Sequence, residues 1–523
     1  MNALQLIRHG QQFLAERKLD KAEEVSRALM AERPDLPPIR YFASEVAMAR
    51  GDFSSALEHI NEAIAKDNTA SALYMMKAQI LLAMRQGLEA QQCAVKAAEL
   101  KADDAGLLFH VALVFMHADN PKGGEPYFLR AEQLGAQNPH FLFELAKNRY
   151  YCGDMEAAAD ALERFLKLAP GHGEGLMLRS KLKTQTEASN NIIDLKAALA
   201  QNLSWQDEVG AAYALAKENE DLGRHDDAFV AMKRGADTQR AHLQYNVADE
   251  TRNMADIGRT FTRETYDNVA AGNSEAAPIF IVGMPRTGTT LAERILARNE
   301  DVTAGGEFND FSNAMRSVIN AHIAAHPGQG LSPLTAALEA DYDRMGQLYI
   351  ERVQGMIGEP KRFTDKLPFN FLYCGLIGKA LPNARIVHLV RDPMDTCFAV
   401  YKTLFNQAYF FSYKLEEIAD YYIAYRALMA HWHAVMPGQI LDVSYEALVA
   451  DPVAEGKRMA EHCGLLWSDD MAAVEKSESA STTASAAQVR ERIYTSSVGN
   501  WRNFEKHLAP LKDKLAAAGL IDG

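Results

Sequence analysis

Apolar and small side chains follow different patterns in the two halves of this chain. In the second half, short continuous apolar runs appear, such as Ile279–Val282, which is followed by Gly283. In the first half, small residues recur every 34 positions, at Ala22, Ala56, Ala90, Gly124 and Ala158. A long period of small residues is typical of stacked helix pairs, whereas a short apolar run predicts a strand buried on both faces of a parallel sheet. The pattern therefore predicts a helical repeat region followed by an α/β domain.

A second set of small residues keeps the same period twelve positions earlier, at Gly10, Ser44, Ala78, Ala112 and Ala146. Gly51 and Gly153 fall where a turn would separate the two helices of a unit, and Pro34 and Pro170 fall where its second helix would stop. This 34-residue unit resembles the tetratricopeptide repeat, in which small side chains let paired helices approach closely. The resemblance implies an all-α solenoid.

The repeat loses its phase after Pro170. Ala216, Gly223 and Ala228 keep the same internal spacing two residues out of register, so we expect one further unit there. The segment between, Thr184–Gln201, is compatible with an irregular helix pair or with an ordered connection. Solenoids of this kind bind a peptide or protein on a concave face or brace a neighbouring domain, and the sequence leaves both roles open.

A glycine-containing loop directly follows the first predicted strand and leads into a segment with helical spacing from Leu291. Strand, loop and helix N-terminus in this order point backbone N–H groups and the positive end of a helix dipole at one place, which is how α/β proteins hold phosphate. Threonine hydroxyls add donors. An ordinary strand–turn–helix is the alternative. The residues expected to bind the anion are Pro285, Arg286, Thr287, Gly288, Thr289 and Thr290.

The loop differs from the common nucleoside triphosphate loop, in which a lysine reaches the terminal phosphates, because Thr289 stands at the lysine position. This difference argues against triphosphate hydrolysis. Arg286 supplies a cation within the loop that can make paired hydrogen bonds to a phosphate or sulfate edge. The stretch from Pro285 to Thr290 resembles the loop of the sulfotransferase family. The resemblance implies that it holds the 5'-phosphosulfate of 3'-phosphoadenosine 5'-phosphosulfate.

A second apolar run, Arg385–Val390, leads directly into Arg391-Asp392-Pro393. This order of strand and Arg-Asp-Pro resembles a second sulfotransferase motif, in which the arginine and a serine eight residues later hold the 3'-phosphate of the donor. Arg391 matches the motif, but Ala399 stands at the serine position. Lys402 and Thr403 are the candidates to replace that serine.

The tail from Tyr494 to Arg502 resembles the segment that closes over the nucleotide in bacterial repeat-containing sulfotransferases. The resemblance implies that Ser497 and Trp501 also bind the donor. An exposed loop with a surface tryptophan is the alternative.

Two residues resemble catalytic residues of the family. Glu307 follows Gly305-Gly306, where tyrosylprotein sulfotransferases carry a catalytic glutamate after a glycine, so we expect it to be the base. Lys366 resembles the lysine that approaches the bridging oxygen of the donor. A surface glutamate and a solvated lysine are the alternatives. The family needs no metal, so none is expected.

Other polar and aromatic positions are interpreted as structural. We expect His388, within an apolar strand, to be a core histidine, and Glu293 to form a helix ion pair or pack against the sheet. The aromatic stripe expected in the core consists of Tyr421, Tyr422, Tyr425 and Trp432.

Composition narrows the possible partners. A formal net charge of -14 argues against broad binding to nucleic acid, although it allows a local basic pocket. The five cysteines are widely separated without CxxC spacing, so neither a disulfide framework nor a zinc site is indicated. No apolar stretch approaches the ~20 residues that cross a bilayer, and the N-terminus does not read as a signal peptide. We therefore expect a cytoplasmic protein without a membrane partner.

These features predict a repeat solenoid over residues 1–240, a helical connection over 241–277 and a parallel-sheet α/β sulfotransferase domain over 278–523. The expected function is sulfuryl transfer from the nucleotide donor to an acceptor hydroxyl on a peptide tyrosine, a small metabolite or a glycan. The alternative, favoured by Ala399, is a repeat scaffold whose nucleotide-binding half has lost catalysis. A nucleotide kinase-like enzyme is a third hypothesis, and Thr289 at the lysine position argues against it.

Overall fold

The computed structural model describes residues 3–272, 274–474 and 497–522. The chain forms two compact units, one of Met1–Asp154 with Arg352–Gly358 and the other of Met155–Glu351 with Glu359–Gly523. The helices after Asp154 thus belong to the same packing unit as the sheet. The domain boundaries expected after residues 240 and 277 stay predictions.

The first unit consists mainly of helices joined in pairs by short turns. Helix α2 ends before Pro34, and Gly51, with φ of +79°, forms the turn between α3 and α4, as the repeat pattern predicts. Its helices are α1 (Ala3–Ala15), α2 (Leu19–Glu32), α3 (Pro37–Ala49), α4 (Phe53–Lys66), α5 (Ser71–Ala83), α6 (Gly87–Leu100), α7 (Ala105–His117), α8 (Pro121–Gln133) and α9 (Pro139–Cys152).

The small residues of the 34-residue period lie where helices approach most closely. Ala22 and Ala56 are fully buried. A Cβ atom on Gly10 would lie 2.2 Å from Cζ of Phe42, so a larger residue would force the helices apart. The Ser44 hydroxyl is also buried and donates to the carbonyl of Ala56 at 2.9 Å. Close helix packing is therefore the physical reason for the period.

The second unit begins with further helices, and the expected additional repeat is present as α13 and α14, joined at Gly223. Between residues 184 and 201 the chain forms an ordered connection with one short helix and an isolated bridge between Thr186 and Ser189. These helices are α10 (Met155–Leu168), α11 (Gly173–Lys181), α12 (Ile192–Leu199), α13 (Trp205–Asp221), α14 (His225–Ala241), α15 (Val247–Thr260) and α16 (Arg263–Asn268).

The rest of this unit is built on a parallel sheet with the strand order β2-β3-β1-β4-β5. The strands are β1 (Ile279–Gly283), β2 (Val302–Ala304), β3 (Arg362–Asp365), β4 (Arg385–Val390) and β5 (Ile440–Ser444). The α-helices are α17 (Thr289–Leu296), α18 (Asp310–Ala325), α19 (Pro333–Ala337), α20 (Tyr342–Ile357), α21 (Cys374–Ala380), α22 (Pro393–Tyr401), α23 (Leu415–Val435), α24 (Tyr445–Ala450), α25 (Pro452–Cys463) and α26 (Ala509–Ala517). Short 3-10 helices lie at Pro368–Tyr373, Phe410–Tyr413, Asp469–Ala472 and Asn500–His507.

Both faces of the sheet are covered, as the apolar run of β1 predicts. Ile279 and Ile281 pack into a core with Ile295 of α17 and other buried residues. On β1, Phe280 instead packs its ring 5.6 Å from that of Tyr349 in α20. The predicted α/β parallel-sheet architecture is therefore confirmed.

The aromatic stripe of α23 lies in the core as expected. Tyr421, Tyr422, Tyr425 and Trp432 are each at most 2% exposed, and the indole of Trp432 donates to the carbonyl of Phe371 at 3.0 Å. In the part of the chain that the structure describes, none of the helices combines the length and apolar character of a bilayer-spanning segment.

Helices α13 and α14 brace the α/β part. The Tyr213 hydroxyl donates to the carbonyl of Tyr401 at 3.2 Å, and Arg240 donates to both carboxylate oxygens of Glu417 at 2.8 and 2.9 Å. Of the two roles that the sequence leaves open for the repeats, bracing therefore applies to this pair.

Candidate functional site

The carboxyl ends of the five strands contribute side chains to one edge of the sheet. The loop 284–290 follows β1, Glu307 lies three residues after β2, and Lys366, Arg391 and Tyr445 directly follow β3, β4 and β5. Because the strands are parallel, their carboxyl ends meet at the same edge, where open α/β sheets bind ligands. The structure thus brings the predicted loop, base, lysine and arginine to one edge.

The loop after β1 has a backbone that few residues tolerate. Gly288, the N-cap of α17, has φ of +96°, and a Cβ atom there would lie 2.4 Å from the Tyr445 ring. Arg286 also has a positive φ, +68°, which is uncommon for a residue other than glycine and marks a strained conformation. The loop therefore requires glycine at position 288, and it lies at the start of α17, where the helix dipole favours an anion.

The Thr287 hydroxyl is bonded within this loop. It donates to the carbonyl of Met284 at 2.7 Å, and the residue is only 2% exposed. A hydroxyl has one proton to donate, so this group stabilises the loop, and the expected contact of Thr287 with the anion stays a prediction.

Arg391 lies beside the loop and is 8% exposed. Its Nη1 donates to the carbonyl of Arg286 at 3.0 Å, its Nη2 donates to the carbonyl of Ser497 at 2.5 Å, and its guanidinium lies 4.7 Å from the Tyr445 ring centroid. Arg286 and Arg391 are therefore neighbours, as a site for one nucleotide requires. The buried Nε of Arg391 makes no hydrogen bond within the described part of the chain, and a free N–H donor fits an anionic ligand.

The tail segment also reaches this edge. The Ser497 hydroxyl lies 2.7 Å from the Tyr445 hydroxyl, and Asp395 accepts from the backbone N–H groups of Gly499 at 2.6 Å and Trp501 at 3.2 Å. The indole N–H of Trp501 is buried and makes no hydrogen bond to a residue that the structure describes. Both predicted tail residues are thus near Arg391 or its neighbours. The start of the predicted segment, residues 494–496, lies outside the described residues.

Both candidate replacements for the missing serine have a hydrogen-bond partner within the protein. Lys402 pairs with Glu220 of α13 at 2.8 Å, and Asn500 donates to the same carboxylate at 3.2 Å. The Thr403 hydroxyl donates to the carbonyl of Ala399 at 2.8 Å. Burial opposes ionisation of Glu220, but Lys402 and Asn500 lower the pKa of that carboxyl below its ordinary value. Lys402 therefore braces α13, and the suggestion that it or Thr403 replaces the serine stays a prediction.

Glu307 and Lys366 form an ion pair. Lys366 Nζ lies 2.6 Å from Glu307 Oε1; the lysine side chain is fully buried, whereas the glutamate side chain is 40% exposed. The backbone N–H of Lys366 donates to the carbonyl of Gly306 at 2.7 Å, which joins the end of β3 to the loop after β2. The partly exposed Glu307 carboxylate can thus accept a proton while the buried Lys366 ammonium holds it in place.

Glu293 of α17 positions the loop that carries Glu307. Its Oε1 accepts from the backbone N–H of Gly306 at 3.0 Å and from the Thr364 hydroxyl at 2.9 Å. The Glu293 carboxylate, 7% exposed, therefore packs against the sheet edge, which is the second of the two interpretations given above.

Sequence reasoning missed Tyr445, Asp395 and Glu220. Tyr445 had one available signal, since it directly follows the last strand of a parallel sheet and such positions reach the ligand edge. Asp395 and Glu220 act on residues more than a hundred positions away in the chain, and no local pattern marks them.

Asp365, at the end of β3, supports a prediction about pH. Burial raises its pKa to about 8, against hydrogen bonds from Tyr349 and the Leu367 N–H, while nearby Asp310 and Glu293 also raise it. Between about pH 4 and about pH 8 the folded protein therefore binds a proton that the unfolded chain has lost, so stability falls as pH rises through this window, by up to about 1.4 kcal/mol per unit.

Asp365→Asn is expected to remove this contribution to the fall of stability with pH, because an amide can keep the hydrogen bonds to Tyr349 and Asn370 without ionising. Urea unfolding at pH 5, 6, 7 and 8 measures the slope. Asp513→Asn, at an exposed position of α26, is the control. An unchanged slope in Asp365→Asn would show that this carboxyl does not hold the proton.

A separate polar cluster joins β4, β5 and the last turn of α23. His388 Nδ1 and His433 Nε2 each lie 2.8 Å from Asp442 Oδ1, and the three ligand atoms lie within 4.8 Å of one another. Burial alone would raise the pKa of the Asp442 carboxyl, but the imidazoles of His388 and His433 lower it to about 2. His388 is 1% exposed, which confirms it as a core histidine.

Comparisons with known proteins agree with this architecture. Residues 278–469 match the sulfotransferase family, and residues 13–80 match the tetratricopeptide repeat. An uncharacterized protein of Aquifex aeolicus (strain VF5) is 31% identical over 312 residues, which cover 58% of this chain and 41% of that protein.

Two further relatives are named as tyrosine sulfotransferases. A putative protein-tyrosine sulfotransferase of Caenorhabditis briggsae is 24% identical over 43% of this chain and 80% of that protein. Protein-tyrosine sulfotransferase 2 of Gallus gallus is 26% identical over 38% of this chain and 53% of that protein. The match thus spans under half of the Aquifex protein and about half of the chicken protein. This chain combines N-terminal tetratricopeptide repeats with a C-terminal domain of the sulfotransferase family, distantly similar to the protein-tyrosine sulfotransferases.

Proposed function

We propose that this protein transfers a sulfuryl group from 3'-phosphoadenosine 5'-phosphosulfate to an acceptor hydroxyl. The observation that carries the proposal is the hydrogen bond of 3.0 Å between Arg391 and the carbonyl of Arg286. It keeps the loop at the N-terminus of α17 and a second guanidinium side by side. One nucleotide with an anionic group at each end can then contact both.

The residues at the edge fit such a donor. The loop and Arg286 would hold the 5'-phosphosulfate, because amides at a helix N-terminus and a guanidinium both favour a multiply charged anion. Arg391 would hold the 3'-phosphate, and its Nε, which bonds to none of the residues that the structure describes, supplies a donor for it. The Tyr445 ring lies beside the Arg391 guanidinium, and the backbone N–H of Trp501 donates to Asp395, whose carboxylate is 3.9 Å from Arg391 Nη2. When bound, the donor supplies an activated sulfuryl group.

The proposed chemistry uses Glu307 and Lys366. The acceptor oxygen forms a bond to sulfur, the bond from sulfur to the bridging phosphate oxygen breaks, and Glu307 takes the hydroxyl proton. The leaving group is 3'-phosphoadenosine 5'-phosphate, and Lys366 offsets the negative charge that develops on its bridging oxygen. Positioning and electrostatics supply the catalysis, as in phosphoryl transfer, and we propose that no metal takes part. Activity unchanged in EDTA checks this last point.

The acceptor is proposed only as a class. A peptide tyrosine is supported by the relatives named as tyrosine sulfotransferases, and the repeats of the first unit are a candidate platform for a peptide. Hydroxyls of small metabolites and glycans fit the same chemistry.

Donor carrying ³⁵S, incubated with a tyrosine-containing peptide, a small phenol and an oligosaccharide in separate reactions and with a cell extract, tests the proposal. Label in a product that depends on the enzyme supports it and names the acceptor class. Absence of transfer, together with absence of calorimetric binding of 3'-phosphoadenosine 5'-phosphate, would overturn it.

A second candidate function is a nucleotide-binding scaffold that has lost catalysis. Ala399 at the serine position favours it, as does the commitment of Lys402 to Glu220. Binding of 3'-phosphoadenosine 5'-phosphate without transfer to any acceptor would favour this candidate over the enzyme.

A further inference from the structure

Three side chains with metal-binding atoms meet where α23 reaches the last strand of the sheet. His388 of β4 and Asp442 of β5 lie directly opposite each other in the parallel register, so their side chains leave the same face of the sheet. His433, in the last turn of α23, reaches the same carboxylate from the helix. Sequence patterns do not show this set, because its members come from three separate elements.

The geometry of the three groups is close to that of a metal site. His388 Nδ1 and His433 Nε2 each lie 2.8 Å from Asp442 Oδ1, and all three atoms lie within 4.8 Å of one another. Around a tetrahedral zinc ion with bonds of ~2.0–2.1 Å, neighbouring ligand atoms lie about 3.3 Å apart, so each pair must open by only about 0.5 Å. The side chains of Asp442 and His433, 49% and 36% exposed, have room for this adjustment.

The buried histidine is already oriented as a ligand. His388, whose side chain is 2% exposed, has its second ring nitrogen, Nε2, hydrogen-bonded to the hydroxyl of Tyr425. Histidines that bind metals usually donate their other ring N–H to an oxygen acceptor, which fixes the ring and leaves the first nitrogen free for the ion. With Nε2–H donated to the phenol oxygen, His388 Nδ1 keeps its lone pair for a metal.

The types of ligand select the ion. Two imidazoles and one carboxylate suit zinc, whereas magnesium and calcium prefer oxygen ligands. The exposed side of Asp442 lets water take the fourth position of a tetrahedral site. Arg426, two turns before His433 on α23, is a nearby cation that opposes a second positive charge. With a single carboxylate to offset it, we expect an affinity in the micromolar range.

We propose that His388, His433 and Asp442 bind one zinc ion. The ion would tie the last turn of α23 to β5, which is an edge strand of the described sheet and pairs there with β4 alone. Its role is structural, since it uses none of the residues assigned to the nucleotide or the acceptor. The inference therefore goes beyond sulfuryl transfer, and activity in EDTA is still expected to be unchanged below the unfolding temperature of the metal-free protein.

Titration of the full chain, freed of metal with a chelator and dialysed, tests the proposal. Zinc added in competition with a chromogenic chelator is expected to bind at one ion per chain, and magnesium is expected not to bind. Cobalt in place of zinc should give the intense visible absorption of a four-coordinate site. Zinc at about 100 times its Kd should raise the Tm by a few degrees, because the ion binds the folded chain.

Variants on two of the three elements locate the ion. His433→Gln and Asp442→Asn keep a hydrogen-bonding group but replace a good zinc ligand, so each should weaken zinc binding at least about tenfold and lose the cobalt absorption. Both variants should keep the Tm of the metal-free chain within a few degrees. The matched control is His326→Gln, which removes one histidine of the neighbouring pair His322 and His326 on α18 and should bind zinc normally.

Three results would overturn the inference. They are a lack of zinc binding at micromolar concentrations, an affinity that neither His433→Gln nor Asp442→Asn changes, and a loss of binding in His326→Gln, which would place the ion on α18. Weak cobalt bands typical of six ligands would overturn the tetrahedral zinc assignment. Each of these results leaves the proposed sulfuryl transfer standing, because that function is measured separately with the labelled donor.

Discussion

Glu307→Gln is expected to lower kcat for sulfuryl transfer by about 10²- to 10⁴-fold, the range typical of losing a general base. Glutamine keeps the size of the side chain and can still accept the hydrogen bond from Lys366, so the loop after β2 should keep its position. The affinity for 3'-phosphoadenosine 5'-phosphate should change by less than about twofold, because the proposed role of Glu307 concerns the acceptor proton. Steady-state kinetics and calorimetry on the same preparation measure both quantities.

The matched control for this variant is Glu300→Gln. Glu300 is exposed in the turn between α17 and β2, and it shares the charge of Glu307 without its place beside Lys366. Its kcat should equal that of the unaltered enzyme. A kcat in Glu307→Gln within about threefold of the unaltered value would remove Glu307 as the base.

Arg391→Met is expected to weaken binding of 3'-phosphoadenosine 5'-phosphate by about 100-fold or more. A guanidinium that makes two hydrogen bonds to a phosphate contributes several kcal/mol, and each ~1.4 kcal/mol corresponds to a factor of ten. Adenosine 5'-monophosphate lacks the 3'-phosphate, so its smaller affinity should fall much less. Calorimetry with both nucleotides gives the two ratios.

Arg391 also holds the carbonyls of Arg286 and Ser497, so part of the loss could come from a displaced loop. Arg391→Lys keeps the charge but not the planar fork, and an intermediate affinity is expected. Arg252→Met removes an exposed arginine of α15 whose surface pair with Asp249 contributes little, and it should bind both nucleotides normally. Equal losses for the two nucleotides in Arg391→Met would show that Arg391 does not contact the 3'-phosphate.

Some parts of the site can be predicted from the sequence and others cannot. The loop from Pro285 to Thr290 was recognisable because strand, glycine turn and helix N-terminus follow one another directly in the chain. Lys402 and Thr403 lie close in sequence to the expected serine position. Their hydrogen-bond partners, Glu220 and the carbonyl of Ala399, depend on where α13 packs and on how α22 ends. A position close in sequence to a ligand site is therefore not enough to give a side chain a free hydrogen-bonding group.

Local order in the chain determined the repeat period, the buried strands and the turn at Gly288, because neighbouring residues and backbone geometry suffice for these. Only the tertiary structure decided which distant side chains meet: Lys366 with Glu307 across 59 positions and Arg391 with Ser497 across 106. These pairings depend on the strand order β2-β3-β1-β4-β5, which brings separate strand ends to one edge. That order is set by the packing of helices on both faces of the sheet, and this packing energy is spread over many residues far apart in sequence.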